Sequence, residues 1–72
     1  MRTKIEKNSV CLTVNSNEWS KISKTKIVHL PYSEKITVGT KIEITCKQTG
    51  TYTTYQIHMI YGLKHYTKVE LR

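Results

Sequence analysis

The chain has 72 residues, with ten Lys and two Arg against five Glu and no Asp, for a net charge of +7. So short a chain buries only roughly 60% of its unfolded surface, which leaves no room for an enzyme cleft and the scaffold to hold it. The missing Asp excludes a Ser-His-Asp triad, and no apolar run nears the ~18 residues of a membrane span.

Alanine, the best helix former, is absent, while Thr, Ile and Val make up a third of the chain. These β-branched residues lose χ1 freedom in a helix and fit a pleated sheet. Composition alone therefore points to an all-β fold in a single domain over residues 1–72. Lys, Ile, Asn, Tyr and Thr are plentiful and Ala, Pro, Gly and Arg scarce. AT-rich coding sequence produces that bias, as in a small accessory protein of a phage or of an AT-rich bacterium. Met1-Arg2-Thr3-Lys4 leads into no apolar signal region. With it, two isolated cysteines, Cys11 and Cys46, read as reduced thiols of a soluble, cytoplasmic protein.

In chain order, residues 1–8 are charged and read as a frayed end or an edge strand. Ser9 to Asn15 alternates, with Val10, Leu12 and Val14 inward and Cys11 and Thr13 outward. Asn15-Ser16-Asn17-Glu18 is a turn by composition. Ser16 could cap one short helical turn through Trp19, but nothing there sustains a longer helix. Residues 19–23 read as a strand, with Trp19 and Ile22 on different faces, or as an irregular segment. Ile27 to Leu30 is apolar enough for a central strand, and Pro31 stops it.

Residues 36–61 form the centre of the pattern. Ile42, Ile44 and Cys46 point one way and Lys41, Glu43, Thr45 and Lys47 the other. Gln48-Thr49-Gly50-Thr51 supplies a turn in which Gly50 can take a positive φ. The returning strand places Tyr55, Ile57, Met59 and Tyr61 on one face and Thr54, Gln56, His58 and Ile60 on the other. Two alternating runs joined by such a turn predict an antiparallel hairpin. Gly62 marks a bulge or bend. From Leu63 the alternation resumes, with Leu63, His65, Thr67, Val69 and Leu71 on one side and Lys64, Tyr66, Lys68, Glu70 and Arg72 on the other.

Five or six short strands at this spacing predict a small antiparallel barrel or a strongly bent sheet. The phrase Ile36-Thr37-Val38-Gly39-Thr40-Lys41-Ile42-Glu43-Ile44 resembles the one that opens a strand in SH3-like and OB-type small barrels. There a glycine bend precedes a polar residue and a strand. The resemblance covers nine residues, implies a barrel of that size, and carries over no functional residue.

The charge predicts a non-catalytic binding role. Lys21, Lys24 and Lys26 crowd one segment near Trp19, and Lys41, Lys47, Lys64 and Lys68 lie on outward faces. With Trp19, Tyr52 and Tyr66 as stacking surfaces, this is the equipment of a nucleic-acid-binding module for DNA or RNA: cations release counterions from phosphates and aromatic faces stack on bases. No recognition helix, zinc-finger spacing or RNP signature accompanies it. The alternative is a protein-interaction module, such as a small phage-type regulator, binding an acidic protein through Ile60 and Tyr66, with sheet edges available for a homodimer. No membrane contact and no cofactor is expected. His29, His58, His65 and the cysteines lack metal-ligand spacing, so no metal is expected either. The dispersed Glu residues argue against paired-carboxylate catalysis. Lysines converging on one face favour nucleic acid; an even scatter with an apolar edge favours a protein.

Overall fold

Alternation of β-branched residues gives most of this chain its form. A computed structural model describes residues 1–62 and 65–72. It contains, in order, β1 (Arg2–Glu6), β2 (Ser9–Val14), α1 (Ser16–Thr25), β3 (Ile27–Pro31), β4 (Lys41–Cys46), β5 (Tyr52–Gly62) and β6 (Tyr66–Leu71). The strands form one sheet in the order β1-β2-β4-β5-β6-β3, curled into a half-barrel. Four neighbouring pairs are antiparallel; β2 and β4 are parallel. A parallel pair needs a long crossover, and here it runs through α1 and β3.

The inward parity holds through β2, β4 and β6. Val10, Leu12, Val14, Ile42, Ile44, Val69 and Leu71 are all buried on the concave side. Each such aliphatic side chain contributes about 1.5–3 kcal/mol relative to exposure. The β4–β5 hairpin closes as its composition predicts. Gly50 takes φ 74°, and its amide donates to the Cys46 carbonyl at 2.8 Å. The first strand is an edge strand, joined to β2 through Asn8 at φ 67°, a conformation that Asn tolerates better than most residues.

Four sequence expectations are corrected. First, residues 16–25 form a ten-residue helix, not a turn followed by a strand. Asn15, not Ser16, is the cap. Its side chain accepts from the Glu18 amide at 2.8 Å, and Glu18 Oε1 accepts from the Asn15 amide at 3.1 Å. This reciprocal capping box satisfies two backbone donors. In a helix, Trp19 and Ile22 are three apart and share a face; both pack on the core. The helix thus lays the face bearing Trp19 and Ile22 on the core.

Second, β3 is an edge strand rather than a central one. Pro31 is its last residue, opposite Tyr66. An edge is where a strand tolerates a residue with no N–H.

Third, the long β5 contains a bulge. Ile57 pairs with Leu71, but Met59 pairs with Glu70, so His58 is the extra residue. One inserted residue exchanges the two faces of a strand. Beyond it Ile60 packs on the core, while Met59 and Tyr61 are 44% and 41% exposed. The uninterrupted alternation through Tyr61 therefore fails after Ile57, and Ile60 is not an outward contact residue. Gly62, the expected bend, sits in ordinary pairing with Thr67. Fourth, the sheet is not wholly antiparallel, for the reason given above.

Candidate nucleic-acid interface

The candidate site is built around β3. The amide of Leu71 donates to the Lys26 carbonyl at 2.7 Å, and Ile27 lies opposite Glu70. Antiparallel ladders alternate their bonded pairs, so Val28 and Leu30 turn their backbone toward β6. Ile27, His29 and Pro31 turn theirs to the free edge. The Ile27 amide is held by Thr25 Oγ1 at 3.3 Å, and Pro31 has no N–H. Among the described residues, His29 is thus the single free backbone donor along this edge.

The side chains of β3 alternate the other way, across the sheet's faces. His29 stands on the convex face opposite Lys68 of β6, and Lys68 stands opposite Tyr61 of β5. Tyr66, two residues before Lys68, shares that face. The rings of His29 and Tyr66 meet edge to face, with centroids 5.1 Å apart. The Lys68 ammonium lies 5.4 Å from the Tyr61 ring centroid, within cation–π range. Tyr66 remains 42% exposed, like Tyr61 at 41%. Glu70 shares the face and offsets part of the charge.

On the other side of the β3 edge, α1 presents Lys21 and Lys24 to solvent. They are three apart and so share a helix face. A groove of about 180 Å³ separates helix from strand, and Lys21, Glu18, Ile27 and His29 all line it. His29 therefore belongs both to the convex aromatic cluster and to the groove beneath the lysine helix. None of Lys21, Lys24 and Lys68 is in an ion pair with a described residue.

The remaining predicted residues lie elsewhere. Lys26 is the helix C-cap, with φ 58°; its ammonium donates to the Ser23 carbonyl and lies 5.4 Å from the Tyr55 ring centroid. Trp19 packs against the core. Lys41 is on the convex face opposite Gln56, in the β1–β2–β4 half. Lys47 and Tyr52 stand at the far end of β4 and β5, Lys47 beside Arg2 in a second groove. Lys64 falls outside the described residues. Lys21, Lys24, Lys68 and Tyr66 are thus brought around one strand, and Lys41, Lys47 and Tyr52 are not.

Two residues of the cluster were missed. His29 was within reach of the sequence, since alternation around Val28 and Leu30 already turns it outward. Tyr61 was not, because its outward position depends on the bulge at His58.

The two cysteines are free thiols. Cys11 is exposed on the convex face and Cys46 is buried, 3% exposed, near the start of α1. A hydrogen bond from Thr49 holds the Cys46 thiol below its ordinary range, against the opposing effect of burial. Ser16 Oγ lies 3.8 Å away.

No family model, curated protein or solved structure matches this chain. Function is therefore read from its own residues.

Proposed function

We propose that this chain is a small, non-catalytic nucleic-acid-binding module that holds a phosphate backbone along the β3 side of the half-barrel. The observation that carries the reading is the flanking of one strand by unpaired cations. Lys21 and Lys24 lie on the helix side and Lys68 on the sheet side, within a chain of net charge +7. Ammonium groups placed this way neutralise phosphates and release counterions.

The edges of the sheet argue against the alternative, an acidic protein added as an extra strand. The free edge of β3 offers one amide donor and ends in proline. Lys4 and Glu6 on β1, the opposite edge, form an ion pair at 3.1 Å; charged side chains on an edge discourage pairing with another chain.

The test is fluorescence anisotropy with labelled DNA and RNA across a salt series. Binding should weaken steeply as salt rises, and the log–log slope counts phosphate contacts at roughly 0.9 each on duplex and 0.7 on single strands. Lys21→Glu with Lys24→Glu should weaken binding and flatten the slope with folding intact. Absence of binding at low salt, or a slope indifferent to these changes, would refute the proposal. Capture of a poly-glutamate peptide in its place would favour the protein partner.

A further inference from the structure

Tyr61 and Tyr66 have no part in holding a phosphate, nor do they fill the core. Both rings stand on the convex face with roughly two-fifths of their surface open. Each is braced by a cationic or polar neighbour, Tyr61 by Lys68 at 5.4 Å and Tyr66 by His29 at 5.1 Å. An exposed ring held in place by its neighbours loses little freedom when a planar ligand covers it. We infer that Tyr61 and Tyr66, with Lys68 between them, form a stacking platform that selects single-stranded nucleic acid over duplex. This rests on the proposal above and adds the class of strand.

The spacing supports it. Tyr61 lies opposite Lys68, and Tyr66 is two residues along the same strand. Such diagonal neighbours are roughly 7–8 Å apart. That is about twice the 3.4 Å rise of a stacked strand in a duplex. The platform therefore suits neighbouring bases that are splayed apart, not bases already stacked on each other. The convex shape of the sheet points the same way. A duplex keeps its base faces inside the stack, where tyrosines on a bulging surface do not reach them, whereas an extended strand can turn its bases onto the rings. Lys68 is placed to meet the phosphate between two such bases. Charge complementarity argues for this occupant: the nearest acid on the face is Glu70, against Lys68 and the lysines across β3.

Three probes of equal length separate the terms: an oligothymidine, the same backbone with abasic sites, and a duplex. The wild-type protein should bind the oligothymidine most tightly. Replacing both rings, Tyr61→Leu with Tyr66→Leu, should remove that preference and leave the phosphate-driven binding to all three probes. Each lost stack weakens oligothymidine binding roughly 5- to 150-fold. Tyr61→Phe with Tyr66→Phe keeps the rings and should keep the preference, and circular dichroism reports whether each variant folds. Equal wild-type affinity for all three probes would overturn the platform and leave the phosphate reading standing. So would a preference that survives the leucine variant. Failure to bind any probe would instead overturn the underlying proposal.

Discussion

The bulge at His58 makes a prediction that opposes simple alternation. Uninterrupted period-2 alternation from Tyr55 puts Met59 inside and Ile60 outside; with the bulge the two exchange places. Ile60 lies opposite Val69, which is fully buried, and packs on the core. A fully buried Ile→Ala change costs about 2–5 kcal/mol; Ile60 is half-buried, which brings the expected loss for Ile60→Ala to about 1–2 kcal/mol. In a domain of this size that lowers the melting temperature by roughly 4–16 °C. Met59 is 44% exposed, and Met59→Ala should stay within about 0.5 kcal/mol of wild type. Lysine sharpens the contrast, because Ile60→Lys drives an ammonium toward the core and Met59→Lys leaves it in water. Thermal unfolding followed by circular dichroism ranks the four variants. If the Met59 substitutions prove the more damaging, the bulge is absent and the convex placement of Tyr61 falls with it.

Four further outcomes follow from the local structure. Asn15→Ala removes the side-chain half of the capping box and should cost about 1 kcal/mol, read as a lower urea midpoint at unchanged slope. Lys26→Gly should be more stable than Lys26→Ala by about 1 kcal/mol, because both lose the Tyr55 contact but only glycine relieves the left-handed cap; urea unfolding of the pair checks it. A thiol reagent should label Cys11 at once and Cys46 only on unfolding, as peptide mass spectrometry would show. Since the folded state lowers the Cys46 pKa, that thiol's contribution is complete above the unfolded thiol's range and fades as pH falls through the lowered value. The stability difference between wild type and Cys46→Ser should therefore grow from neutral to alkaline pH.

Much of the sheet was legible because side-chain parity is a local property. Val10, Leu12 and Val14 of β2, Ile42 and Ile44 of β4, and Val69 and Leu71 of β6 are inward as their alternation requires. The helix was partly legible. Asn15 and Glu18 carry the spacing of a capping box, but Ser, Asn and Thr around them are weak helix formers, and composition argued against it. Burial of Trp19 and Ile22 against the curled sheet tips the balance, and that surface exists only once the strands have paired. The candidate site was legible in kind, as lysines and aromatic rings, and only in part by residue. Lys21, Lys24, Lys68 and Tyr66 gather around β3, while Trp19 turns to the core and Lys26 to the helix cap.

The sequence by itself determined the all-β class, the parity of most strands, the hairpin turn at Gly50 and the cationic surface. Each depends on neighbours within a few residues, where backbone pleat and turn geometry act directly. Only the tertiary structure decided that β2 and β4 run parallel, that β3 lies at an edge, and that His58 is the extra residue in β5. Those features depend on pairing between segments far apart in the chain. A one-residue shift in that pairing moves every later side chain to the other face, which is how Tyr61 comes to stand beside Lys68.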